Sequence, residues 1–266
     1  MRGKHLMSLL APRQSHTAER VPSAFEANGS GDHYGGVLVG AATIGQRASS
    51  GSTHDDALEL AARLEPDEYA RYVRSFMEEG RAKAGDDWRY ADILTVLSAA
   101  CELIRPRSYL EIGVRRGRSM AMVASKAPDC DLLGIDMWQE DYGGADNPGS
   151  DFVRGELAKF DRRGSLELIS GDSHEVIPRL FEERPELSFD LITVDGDHTI
   201  LGASRDLRDV LPRLRIGGAL VFDDIRHPAH PRLRDVWRTS VAASRRYMTW
   251  EFEDVGYGVA VAVRRW

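Results

Sequence analysis

The polar and apolar positions change rhythm along the chain. Residues 1–54, rich in Gly, Ser, Ala and His, hold no sustained period. From Thr53, "THDDALELAARL" turns helical, with apolar residues three and four apart. Thr53 followed by Asp56 has capping-box spacing, with Asp in place of the usual Glu. Pro66 marks a second helix start, running through "DEYARYVRSFMEEGRAKA", and a third helix is expected near 89–104. Beyond it, short apolar runs alternate with amphipathic segments. Strands are expected near 108–113, 131–136, 165–170, 188–195 and 217–223. Helices are expected near 117–127, 150–162, 174–183, 200–214 and 231–243. Two strand-like runs, "RYMTWEFED" and "GYGVAVAVRR", close the chain as a hairpin with a short Val-Gly connection.

This alternation predicts an α/β fold, a mostly parallel sheet with helices on both faces. The terminal hairpin is expected to add an antiparallel strand at one edge. Residues 55–266 read as one domain including the N-terminal helices. Residues 1–54 read as a flexible arm, because their low apolar density cannot offset the entropy of ordering. An arm that orders over a substrate or a partner subunit is the alternative.

Composition narrows the partners. The chain has 266 residues, and its net charge of −7 with no long basic run lacks the footprint of nucleic-acid binding. Cys101 and Cys130 have neither metal nor redox spacing and read as free thiols of a reducing compartment. The apolar run of "MRGKHLMSLLAPRQ" is shorter than the ~7–15 residues of a secretory leader. "GGVLVGAATIG" falls short of the ~20 apolar residues that span a bilayer. A cytoplasmic protein without membrane contact is expected; homo-oligomerisation is left open.

The chemistry gathers at strand ends, where ligands of open parallel sheets bind. The first strand ends in "YLEIGVRRGRSM", in which Gly113 and Gly117 let backbone approach a ligand at a helix N-terminus. The dinucleotide fingerprint G-x-G-x-x-G is absent, and Glu111 would repel a pyrophosphate while suiting an ammonium group. Asp136, ending the second strand, is placed to accept hydrogen bonds from a ribose diol. Asp172 and Ser173, after the third, face an adenine edge, or Asp172 caps the next helix.

The fourth and fifth strands end in "VDGDH" and "FDDI". Asp195, Asp223 and Asp224 should converge beside the ligand, and three packed carboxylates repel. A divalent cation resolves that conflict, and an all-oxygen set favours Mg²⁺ over zinc. His198 is the first choice as a base, since a neutral imidazole adds no negative charge. Asp197 is second. Both have structural alternatives, Asp197 as a helix cap and His198 in local packing. His227 and His230 either line an acceptor pocket or lie in a surface loop, and the segment 139–150 is either a lid or an inert loop.

In these motifs the chain resembles the class I S-adenosylmethionine-dependent methyltransferases over about residues 90–266. "LEIGVRRGRS" is similar to their first motif and "GIDMW" to their second. The resemblance implies a Rossmann-like seven-stranded sheet. It puts Glu111 and Gly113 near the methionine moiety, with Gly117 and Ser119 in the same motif. Asp136 falls on the ribose, Asp172 and Ser173 near the adenine, and Trp138 against the adenine or else in core or lid. "VDGDH" followed by "FDDI" resembles the metal-dependent sugar O-methyltransferases that tailor bacterial natural products. That likeness implies metal ligands at Asp195, Asp223 and Asp224, with Asp195 also bordering the cofactor. It leaves His198 and Asp197 both open as the base.

The expected activity is therefore Mg²⁺-dependent methylation of a hydroxyl on a sugar or other vicinal diol, on a glycosylated small molecule. A catechol-type O-methyltransferase is the nearest alternative. An NAD-linked oxidoreductase is opposed by Glu111 and the missing fingerprint, and a non-catalytic cofactor-binding subunit by the intact acidic cluster.

Overall fold

A computed structural model describes residues 36–140 and 146–266. The expected arm over residues 1–35, and residues 141–145 of the expected lid, lie outside the described residues.

Four helices precede the first strand: α1 (Ala41–Ala48), α2 (Gly51–Arg63), α3 (Glu68–Ala84) and α4 (Ile93–Ile104). Strands and helices then alternate as β1 (Ser108–Ile112), α5 (Arg118–Lys126), β2 (Asp131–Asp136), α6 (Ser150–Leu157) and β3 (Leu166–Ser170). They continue as α7 (Ser173–Glu183), β4 (Phe189–Val194), α8 (Ile200–Val210), β5 (Leu214–Asp223) and α9 (Leu233–Trp237). A π-helical turn over Arg238–Ala242 leads to β6 (Tyr247–Phe252) and β7 (Val259–Arg264).

The seven strands form one sheet in the order β3-β2-β1-β4-β5-β7-β6. The first five are parallel, and β7 runs antiparallel to both β5 and β6. The antiparallel strand therefore lies inside the sheet and β6 forms the edge, where the sequence suggested an antiparallel edge. Burial explains the order. "VAVAV" of β7 is buried on both faces, as an interior strand requires, whereas most of β6 is half-exposed.

Side-chain alternation divides the core in two. Tyr109, Leu191, Ala219 and Val221 point to one face, beneath α1, α2, α4 and α5. Leu110, Ile112, Ile192, Val194, Leu220 and Phe222 point to the other, with residues of α7, α8 and α9. All six residues of β4 are buried, so its carboxyl end opens near the centre of the sheet.

The domain begins earlier than residue 55. Ala41, Ile44 and Ala48 of α1 are fully buried, and burying one such Ile stabilises by about 1.5–3 kcal/mol. A Cβ on Gly45 would stand 2.1 Å from Cδ2 of Trp250, so α1 lies flat on that indole. Small residues make this contact, which is why low apolar density misrepresented the segment. Thr53 is likewise no cap: it lies within α2, and its hydroxyl donates to Ala48 O at 2.8 Å. The capping box belongs to α4. Asp92 Oδ1 accepts from Thr95 N at 2.9 Å and Thr95 Oγ1 from Asp92 N at 3.0 Å. Among the described residues, no helix is long and apolar enough to cross a membrane.

Candidate active site

The site is built along the carboxyl ends of β3, β2, β1, β4 and β5. Glu111, in β1, is completely buried. The Tyr109 hydroxyl donates to its Oε2 at 2.9 Å, and the Ser119 hydroxyl donates to Oε1. Burial pushes the Glu111 carboxyl up to about 8; the two hydroxyls pull it down, and the charges of Asp195 and Asp136 raise it again. The glycines after β1 serve contacts within the protein. Gly113 has φ of 87°, and a Cβ there would lie 2.0 Å from the carbonyl oxygen of Asp195. Gly117, φ 73°, precedes α5 and makes room for Val153 of α6.

Asp136 gathers three loop donors. Its Oδ2 accepts from Arg115 N at 2.6 Å, and its Oδ1 from Trp138 N at 2.6 Å and Asn147 Nδ2 at 3.2 Å. Arg115 and Trp138 both have left-handed backbone, at φ 51° and 53°. Each such residue costs on the order of 1–3 kcal/mol, which the bonds to Asp136 offset. Two buried polar atoms of these loop residues, Arg115 Nε and Asn147 Oδ1, have no hydrogen-bond partner among the described residues. The Trp138 indole donates to Ser170 Oγ at 2.8 Å, so it spans the ends of β2 and β3.

Two residues expected near adenine also bond within the protein. Asp172 caps α7, accepting from His174 N at 2.8 Å. Ser173 turns toward α8, where its hydroxyl donates to Asp206 Oδ1 at 2.7 Å. Asp206 is 1% exposed, its Oδ1 lies 3.4 Å from His174 Nε2, and burial pushes its carboxyl up to about 6.

Beyond β4 and β5 the acidic cluster assembles with an imidazole at its centre. His198 Nε2 lies 3.2 Å from Asp195 Oδ1 and 3.6 Å from Asp224 Oδ2. One donor atom from each of Asp195, His198 and Asp224 falls within 4.8 Å of the others, the spread of ligands around one ion. Asp223 is not in that trio. Its carboxyl, raised well above the usual range by burial and then by Asp195 and Asp224, accepts from the Asp224 backbone instead. Adjacent residues of a strand point to opposite sides, and Asp224 adds a left-handed turn, φ 61°. Desolvation lowers the His198 pKa, but the hydrogen bond to Asp195 and the charges of Asp195, Asp224 and Asp197 outweigh it and hold the imidazole above its ordinary range. Asp197 closes the turn before α8, accepting from Thr199 N at 2.7 Å, with Gly202 packed against its carboxylate; the cap is Thr199, whose Oγ1 accepts from Gly202 N at 3.0 Å.

An aromatic row leads outward. His198 stacks on His230 at 4.8 Å between ring centroids, His230 meets His227 at 5.0 Å, and His227 meets Tyr257 at 4.5 Å. Tyr69 lies in the first turn of α3 and is 42% exposed; burial of part of its ring and the charges of Asp223, Asp92, Asp224 and Asp195 push its phenol above the usual range. Arg116, 6% exposed, pins α3 in place: it lies 3.4 Å from Asp67 Oδ2, 2.7 Å from Asp146 Oδ2 and 3.7 Å from Glu65 Oε1. Tyr69, Arg116, Asn147 and Asp206 escaped sequence reasoning. Their only signal was an apolar or charged residue in an otherwise ordinary helix or loop.

Residues 110–225, from β1 through the turn after β5, match a family described as a methyltransferase domain. The match covers the strands and helices that carry the candidate site. No curated protein sequence matches it significantly. Among solved structures, the calicheamicin methyltransferase CalS11 is similar at a TM-score of 0.51 and 19% identity, over 81% of this chain and 91% of that one. The O-methyltransferase TomG of Streptomyces achromogenes, involved in tomaymycin synthesis, gives 0.52 and 21%, over 76% and 92%. An O-methyltransferase of Bacillus cereus gives 0.50 and 17%, over 80% and 91%. At these identities the likeness is one of fold. The chain thus shares the Rossmann-like, seven-stranded fold of those structures, with α1 to α3 packed around it.

Proposed function

We propose that this methyltransferase transfers a methyl group from S-adenosylmethionine to a hydroxyl of a sugar or other vicinal diol on a small-molecule natural product, with help from a divalent cation such as Mg²⁺. The observation that carries the reading is the Asp195–His198–Asp224 cluster at the ends of β4 and β5, next to the buried carboxylate of Glu111 in β1. CalS11 and TomG act in natural-product synthesis, CalS11 as a TDP-rhamnose 3'-O-methyltransferase, and TomG is solved with S-adenosylmethionine.

The residues present fit such a cofactor. Glu111 is a buried carboxylate suited to an ammonium group. Asp136 stands beside Asn147, whose orphaned Oδ1 calls for a donor such as a ribose hydroxyl. Neither feature suits a pyrophosphate. The cluster also fits a cation, since carboxylates drawn this close otherwise repel one another. Asp195, His198 and Asp224 would hold the cation, which would supply Lewis-acid polarisation of the acceptor's oxygen.

Methyl transfer from a sulfonium is an in-line displacement, so the chain's tasks are alignment and proton removal. Glu111 and Asp136 fix the donor along β1 and β2. Tyr69 and the His227–Tyr257 row bound the acceptor on the other side. The acceptor's proton goes to His198 at Nε2 or to the carboxylate of Asp197.

A catechol acceptor is the second reading, favoured by the flat faces of His230, His227 and Tyr257 beside the cluster. Calorimetric titration with S-adenosylhomocysteine, with NADH as control, tests the cofactor. One-site binding of the former alone is expected, and preference for NADH would overturn the proposal. Glycosides and catechols assayed with and without Mg²⁺ then separate the two acceptors.

A further inference from the structure

We infer that the imidazole of His198 is itself a ligand of the divalent ion, so that the site takes a first-row transition ion through two carboxylates and one nitrogen. This rests on the metal-assisted reading above and changes both the identity of the ion and the assignment of the base.

The geometry favours a ligand over a base. Ligands about 2.0–2.2 Å from one ion sit about 3 Å apart when adjacent around it. The separations of 3.2 Å from His198 Nε2 to Asp195 Oδ1 and 3.6 Å to Asp224 Oδ2 match that spacing closely. The ring edge that a base would offer to the acceptor is thus turned into the carboxylates. Stacking on His230, at 4.8 Å and 29° between planes, holds the ring in that orientation, as supporting contacts hold metal-binding histidines elsewhere. Among the described residues this is the only such trio of donors, and Asp223 is not in it.

The donor types then decide the ion. Mg²⁺ takes oxygen and gives up its water reluctantly. Imidazole nitrogen shifts preference toward Mn²⁺, Co²⁺ or Ni²⁺, whose affinities rise in that order. With His198 on the ion, the proton of the acceptor falls to Asp197, whose carboxylate borders the same loop.

Pulsed electron paramagnetic resonance of the full-length protein loaded with Mn²⁺ alone tests this. Nitrogen-14 modulation of the Mn²⁺ signal is expected. It should vanish in His198→Gln, with Mn²⁺ bound about 10–100-fold more weakly and S-adenosylhomocysteine binding unchanged. His227→Gln and His230→Gln should keep the modulation, which identifies the source even where His198→Gln fails to fold. Mn²⁺ bound without nitrogen modulation, or Mg²⁺ bound as tightly as Mn²⁺, overturns the inference and leaves an all-oxygen site. No saturable binding of Mn²⁺ overturns it together with the cation in the proposed function. Calorimetry with S-adenosylhomocysteine on the same sample reports separately on the methyltransferase reading.

Discussion

The carbonyl oxygen of Asp195 occupies the space in which a side chain on Gly113 would begin, 2.0 Å from the Cβ position. This contact joins the end of β1 to the end of β4, and through them the buried carboxylate to the acidic cluster. Gly113→Ala should therefore combine a left-handed backbone penalty with a clash against backbone that cannot swing aside. A loss of roughly 2–5 kcal/mol is expected from those two costs. Urea denaturation measures it, and a change under 1 kcal/mol would mean the two strand ends separate easily.

In the proposed function, Glu111 makes cofactor binding depend on pH. Burial pushes its carboxyl up to about 8, so it is protonated at neutral pH, whereas an ammonium ligand requires the ionised form. Affinity for S-adenosylhomocysteine should rise about tenfold per unit as pH approaches 8 from below, and level off above it. Calorimetry in buffers of different ionisation enthalpy should record proton release near pH 7. Glu111→Gln should bind more weakly with a flat profile across this range; an unchanged slope would assign the titration to another group.

The same raised carboxyl logic applies to Asp206, without ligand. A pKa lifted to about 6 means the folded state holds a proton that the unfolded state has released. Stability contributed by that proton is present below the unfolded value and lost as pH rises through 6. Asp206→Asn keeps an acceptor for Ser173 and removes the titration. The variant should gain about 1–3 kcal/mol relative to the parent on going from pH 4 to pH 7. Parallel thermal melts at the two pH values are the check.

Arg116 and Arg118 converge on Asp67, which opens α3. Burial raises the Asp67 carboxyl, but the Ala70 amide and the two arginines outweigh it and hold it below the usual range. The stability it contributes is thus present at neutral pH and lost as pH falls through that lowered value. Arg116→Ala should cost about 2–4 kcal/mol, less than for a fully enclosed pair because Glu65 and Asp146 are exposed. Acceptor KM should rise more than that of the cofactor, because Tyr69 rides on the same helix turn. Equal shifts in both would place α3 outside acceptor binding.

Much of this architecture was legible in the chain. The parallel strands are apolar runs, and four of the five carry an acidic residue at or beside their carboxyl end: Glu111, Asp136, Asp195 and Asp223. The hairpin was visible too, but not that β7 would take the inner place; burial of "VAVAV" on both sides decides that. The sequence also orders the acids without aiming them. Asp224, on a left-handed turn, is the one whose carboxylate lies 3.6 Å from His198, while Asp223 feels the charges of Asp195 and Asp224 from beside it. Asp206 is invisible for a different reason: on an amphipathic helix one more acidic residue looks solvated, and only packing against Ser173 and His174 reveals it buried.

The seat of α1 on Trp250 ties one of the earliest ordered segments to one of the last strands. On a ribosome, α1 is made about two hundred residues before its platform exists, and contacts so distant in sequence close late in folding. The face of the helix that meets Trp250 must wait until β6 and β7 have paired, while its contacts with α4 can form sooner. Arrival of the C-terminal hairpin therefore completes the sheet and releases α1 from that wait in a single event.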